Sequence, residues 1–181
     1  METTVATQTK WGIDTTHSEV QFKVKHLVIS TVTGSFKKFS GEVTSEGDDF
    51  NNASVSFSID ANSIDTNQAD RDTHLKSEDF FAAAQYPTIT FSKGFLKKVS
   101  DESYKLIGNL TLRDVTKAIE LDVEFGGIVK DPWGNIKAGF ELTGKINRKD
   151  YGLTWGALTE AGGMVVGEEI KLHINIELAK A

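Results

Sequence analysis

Apolar and polar residues alternate with period two along most of this chain, and the alternation fails in one long stretch, Arg71 to Phe91. The alternating runs are clear. Val20, Phe22 and Val24 alternate with Glu19, Gln21, Lys23 and Lys25; Val55, Phe57 and Ile59 with serines; Ile119, Leu121, Val123 and Phe125 with Glu120, Asp122 and Glu124. Phe140, Leu142, Gly144, Ile146 and Arg148 share one face, as do Ile170, Leu172, Ile174, Ile176 and Leu178 near the C-terminus. Such runs read as strands with one dry face and one wet face, and one-sided strands belong to antiparallel sheet.

Inside the exceptional stretch, the residues predict short helical turns. Thr66 is placed to cap one turn through Ala69, Arg71 and His74, and Ser77 to cap a second, with Glu78 and Asp79 at its positive end. Phe80, Phe81 and Ala82 to Ala84 supply an apolar surface of high helix propensity, which Pro87 ends. An insert of this kind in an all-β chain is expected to cover an opening in the sheet.

About eight strands, some near ten residues long, leave two architectures, a two-sheet sandwich or a closed barrel. Long strands favour the barrel because closure removes their edges. The expected fold is therefore all-β, an extended eight-stranded antiparallel barrel with a short helical insert covering one end. Residues 1–9 read as a flexible tail and 10–181 as a single domain.

Composition removes several function classes. The chain has 181 residues and no cysteine, so disulfides, thiol catalysis and cysteine zinc sites are out. Net charge is −6 and no basic run exceeds two residues, which argues against nucleic acid. No apolar run reaches the length of a membrane helix. The N-terminus lacks the basic and apolar regions of a signal peptide, so the expected location is cytoplasmic, or periplasmic if a signal has been removed. His17, His26, His74 and His173 show no metal-ligand spacing, so neither a metal nor a cofactor is expected.

An eight-stranded barrel is either filled by its own side chains or holds one elongated ligand. Inward glycines at Gly108 and Gly144 leave room, either for neighbouring rings or for a lipid tail. The inward positions of the clearest strands, Phe22, Phe57, Ile89, Phe91, Leu110, Leu121, Phe140 and Ile146, are the candidate tail contacts, with His26 on the same kind of face. Trp155, Leu158 and Met164, in an irregular segment, are placed to line a mouth. Arg71, His74 and Arg148 are candidates for a polar head group; Arg71, Asp72 and His74 read equally as a local cap and ion-pair set.

The motifs follow a known order. Trp11 to Asp14, His17-Ser18, Gly34 to Phe36 and Phe39 to Gly41 are followed by Ile64 to Thr66, Arg71-Asp72 and His74-Leu75. Asp79 to Phe81, Tyr86-Pro87, Gly108 to Leu112, Ile146 to Arg148 and Asp150 to Gly152 complete it. From about residue 10 to 179 this resembles the YceI-like family of lipocalin-like, polyisoprenoid-binding proteins. The resemblance implies a long apolar cavity for an isoprenoid lipid, such as an isoprenoid quinone or a polyprenyl phosphate, and a carrier or store rather than a catalyst. Two alternatives stay open: an enzyme acting on an apolar substrate through His26 or His74, and a structural, stress-related protein with a filled core. A homodimer packed through the irregular segment is compatible with either.

Overall fold

The computed structural model describes residues 8–27, 29–153 and 166–181. Eleven strand segments and one α-helix follow one another among these residues. They are β1 (Gln8–Ile13), β2 (Glu19–His26), β3 (Ser30–Phe36), β4 (Phe39–Glu46), β5 (Asp49–Asp60), β6 (Ile64–Asp65), α1 (Ala69–Leu75), β7 (Thr88–Lys98), β8 (Ser103–Leu112), β9 (Val115–Lys130), β10 (Ile136–Asn147) and β11 (Val166–Lys180).

The register reduces these segments to eight staves. β1 and β2 pair end to end with the same partner, β11, at Trp11–Lys180 and at Phe22–Leu172. β3 pairs with β2 and β4 with β1, so these two also form one broken stave. β6 and β5 continue the pattern against β3 and β4. β7 to β11 follow as neighbours, all antiparallel, and the β1–β11 pairing closes the ring. The result is the closed eight-stranded antiparallel barrel that the alternation implies.

Two of the three broken staves bend at a short polar side chain. Asp14 accepts from the Thr16 amide and Asp60 from the Asn62 amide, each opening a 3₁₀ turn in mid-stave. Asn147 does the same for Lys149 at the end of β10. Asx side chains offer the backbone such an alternative to the ladder. The run 34–43 reads in sequence as one strand, but it breaks at Lys37 and Lys38, whose backbone groups turn to Ser63 and Asp60. Gln8 and Thr9, expected in the tail, pair with Glu46 and Ser45 in β1.

The insert departs most from expectation. A single helix forms, and Gln68, not Thr66, caps it by accepting from the Arg71 amide. Thr66 instead donates to Asp72 and accepts from Arg71 Nε. No second helix follows Ser77: residues 76–85 make a series of turns, with Ala82 at φ +46°. Phe80, Ala82 and Ala83 are all buried, and Phe81 packs on the core. A helix turns each successive residue by about 100°, so it cannot bury four in a row on one side. Burial prevails over the helix propensity of the alanines.

One end of the barrel is closed by aromatic packing. Trp11, fully buried, lies 5.2 Å from the Phe50 ring, and Phe50 lies 5.0 Å from Phe140. Phe125 stacks on Phe140 at 5.0 Å and meets Tyr104 edge-on. Trp11 Nε1 donates to Ser45 Oγ at 2.9 Å, so this plug leaves no indole N–H unpaired. The insert and the turn Arg148–Tyr151 lie at the opposite end.

Candidate binding cavity

Between the aromatic plug and the insert lies a cavity of about 200 Å³. Its wall draws on every stave: Val20, Phe22 and Val24 from β2, Phe57 and Ile59 from β5, Ile89 and Phe91 from β7, and Leu106 and Leu110 from β8. β9 to β11 add Leu121, Phe140, Ile146 and the even-numbered residues from Ile170 to Leu178. Only Gln21, Ser56 and Arg148 among the described lining residues are polar. Ile146, Ile170, Leu172, Ile174 and Ile176 point inward yet are only half-buried, because the surface they retain faces the cavity. An apolar void of this size stays free of ordered water, which needs two or more polar partners.

The inward glycines do not themselves make the void. A Cβ on Gly108 would sit 2.4 Å from Phe91 Cζ, one on Gly34 2.3 Å from Phe22 Cζ, and one on Gly144 2.2 Å from Leu121 Cδ2. They let large neighbours lie flat against the barrel wall, and the space is left along the axis. The glycines thus make room for neighbouring side chains, not for a lipid tail, and the void is a separate feature of the axis.

The eight tail-contact candidates on the clearest strands all line the cavity. His26 does not. It ends β2 in register with Val166, half-buried, two residues beyond the lining at Val24. Trp155, Leu158 and Met164 lie outside the described residues.

The three polar candidates part company. Arg71 donates to the Thr66 carbonyl and hydroxyl, and His74 Nε2 lies 2.9 Å from Asp79 Oδ2 with its ring edge-on to Phe80 at 5.2 Å. Neither lines the cavity, and both bind the insert together; the lining residues of the insert are Leu75, Phe80 and Phe81, apolar neighbours of the motif that the polar signal hides. Arg148 does line it and is buried. Its Nε donates to the Gly167 carbonyl at 2.8 Å, and its terminal nitrogens donate to Leu153 and Val166 carbonyls at 2.6 and 3.2 Å. Burial lowers its pKa, and no carboxylate among the described residues forms an ion pair with it. Beside it burial pushes the Tyr151 phenol up to about 12.

A second polar cluster sits outside the cavity, at the break between β1 and β2. Asp14 Oδ2 accepts from Lys137 Nζ at 2.9 Å and lies 2.9 Å from His17 Nδ1, which is 3.4 Å from Glu177. The Lys137 ammonium, with Thr16 and His17, holds the Asp14 carboxyl well below the carboxylate range. With the lysine already seated on Asp14, the cluster is an ion-pair network that ties β1, β10 and β11.

A family model described as "YceI-like domain" matches residues 11–178. The chain belongs to the YceI-like family. A UPF0312 protein of Staphylococcus epidermidis is 36% identical over 172 residues, covering 94% of this chain and 98% of that one. A Campylobacter jejuni YCEI protein of known structure is 34% identical with a TM-score of 0.73, covering 100% of this chain and 99% of its own. A polyisoprenoid-binding domain from Saccharophagus degradans shares the fold, with a TM-score of 0.69 at 17% identity over 94% of this chain and 98% of that domain. As a YceI-like barrel the protein encloses an apolar cavity that can take an apolar ligand.

Proposed function

We propose that the protein binds and carries an isoprenoid lipid, a polyprenyl phosphate or an isoprenoid quinone, with its tail along the barrel axis and its polar end toward Arg148. The observation that carries this reading is the wall itself, apolar on all eight staves, with Arg148, the one cation among its described residues, at the end away from the aromatic plug. Branched prenyl chains suit a dry, irregular cavity of leucine, isoleucine and phenylalanine, where each buried methylene-sized group contributes about 0.8 kcal/mol. The name of the Saccharophagus degradans domain, which shares the fold, supports the same chemistry. Phe22, Phe57, Ile89, Phe91, Leu110, Leu121, Phe140 and Ile146 are the proposed tail contacts. Arg148 still has N–H groups beyond the three spent on carbonyls, and an acceptor on a phosphate or quinone can take them.

Native mass spectrometry of protein purified without detergent, followed by organic extraction, tests this. A stoichiometric adduct with isoprene mass spacing is the expected result. A clean protein mass that persists after incubation with prenyl phosphates and quinones would overturn it.

A further inference from the structure

We propose that the tip of the β2–β3 hairpin, together with the lysines of the adjoining outer face, docks this protein on an anionic lipid bilayer, at the end of the cavity away from the aromatic plug. Three observations converge on that place. The first is the tip. His26 and Ser30 form the last pair of the hairpin, and Leu27 and Ile29 lie in its loop. Hairpin loops ordinarily use Gly, Asn or Asp, which tolerate positive φ and water. Here Leu27 takes φ +53° and Ile29 is 86% exposed. Two exposed aliphatic side chains on a projecting turn fit hydrocarbon far better than water.

The second observation is charge. Lys145, Lys171 and Lys23 stand opposite one another across β10, β11 and β2, in direct register. Like charges so placed destabilise a sheet. Lys145 has Glu169 at 3.8 Å, whereas Lys23 and Lys171 make no ion pair among the described residues. Lys25 continues the row along β2, and Glu168 pairs with Lys149 at 2.8 Å. Of the insert's acids, Asp72 accepts from the Thr66 amide and hydroxyl and Asp79 lies 2.9 Å from His74, so both are engaged within the insert. The third is continuity: His26 pairs with Val166, which lines the cavity, so the tip directly follows a residue paired with the wall. The opposite end is shut by the aromatic plug. A lipid moving between bilayer and barrel along this path need not cross water.

The inference rests on the lipid-carrier reading for its purpose, but its test does not depend on cavity occupancy. The absence of cysteine allows a single label. Ile29→Cys and Trp133→Cys are each labelled with an environment-sensitive fluorophore; Trp133, 83% exposed on the β9–β10 turn at the plugged end, is the rival anchor. Phosphatidylcholine vesicles with about a third phosphatidylglycerol should blue-shift the Ile29 label and leave the Trp133 label unchanged. Pure phosphatidylcholine should shift neither. Flotation of unlabelled Lys23→Gln/Lys171→Gln should show binding weakened about fivefold per lysine, and Leu27→Ser/Ile29→Ser about tenfold or more, with melting temperatures confirming that each variant folds. No vesicle binding, a response from Trp133 instead of Ile29, or a concentration-dependent dimer abolished by Leu27→Ser/Ile29→Ser would each overturn the proposal.

Discussion

Replacing Leu172 with tryptophan separates a barrel with a working cavity from one with a packed core, because the two predict opposite signs. Leu172 lines the middle of the cavity, in register with Gly144 on one side and Phe22 on the other. In a close-packed interior a Leu→Trp change overpacks and costs about 1–3 kcal/mol. Here the void is about 200 Å³. At about 24 cal/mol per Å³ an empty void of that size forgoes about 5 kcal/mol, and the extra indole fills about 60 Å³ of it, recovering about 1.4 kcal/mol. The delipidated Leu172→Trp protein should therefore melt about 3–6 °C above delipidated wild type, at about 2–4 °C per kcal/mol for a chain of this size. The same variant should lose retained lipid, because the tryptophan occupies the tail's path, and adding lipid should no longer raise its melting temperature. Differential scanning calorimetry with and without prenyl lipid reads both effects. A variant that melts several degrees lower and still carries lipid would show that the void is not where the ligand lies.

Three further outcomes follow from the geometry. Gly108→Ala, which in an ordinary strand gains about 0.5–1 kcal/mol, should cost about 1–3 kcal/mol here, because its Cβ would meet Phe91 Cζ at 2.4 Å and Gly94 Cα at 2.9 Å; urea titration gives the sign. Arg148→Met should lower stability by about 2–5 kcal/mol, since it strips the donors from the Leu153, Val166 and Gly167 carbonyls, and Arg148→Lys should restore little because one ammonium cannot reach three diverging acceptors; equal stability of Arg148→Met and wild type would remove its role as a staple. The Asp14 network should give a stability optimum. Asp14, held low by Lys137, stabilises the fold above the ordinary aspartate value near pH 3.9 and loses this as pH falls. His17, raised by Asp14, stabilises it below about pH 6.5 and loses this as pH rises through the folded value. Melting temperature against pH should plateau between about 4 and 6.5, and Asp14→Asn, which keeps the turn cap, should flatten both limbs.

Most of the barrel was legible because a half-buried strand writes its orientation into every second residue. That rhythm turns Phe22, Phe91, Leu121 and Phe140 inward, and all four line the cavity. The same rule misplaced His26: parity puts it on the inward face, but the cavity lining ends at Val24, and parity carries no information about where along a stave a cavity stops. The insert was misread for a related reason. Ala82 to Ala84 have high helix propensity, yet the local signal is worth tenths of a kcal/mol per residue, whereas burying Phe80, Phe81, Ala82 and Ala83 together against the barrel is worth several.

Residue type and period by themselves determined that this chain makes one-sided antiparallel strands, too long to leave with open edges, and that something other than a strand crosses between Arg71 and Phe91. Those are local properties, set by alternation, turn chemistry and Pro87. Only the tertiary structure decided that the broken segments join into eight staves, because closure depends on β1 and β2 sharing one edge of β11. It alone decided that Phe50, Phe125 and Phe140 meet Trp11 to seal one end, and that the glycines receive neighbouring side chains while the axis stays empty. Cavities are made by what fails to touch, and that depends on distances between residues far apart in the chain, which no pattern along the chain records.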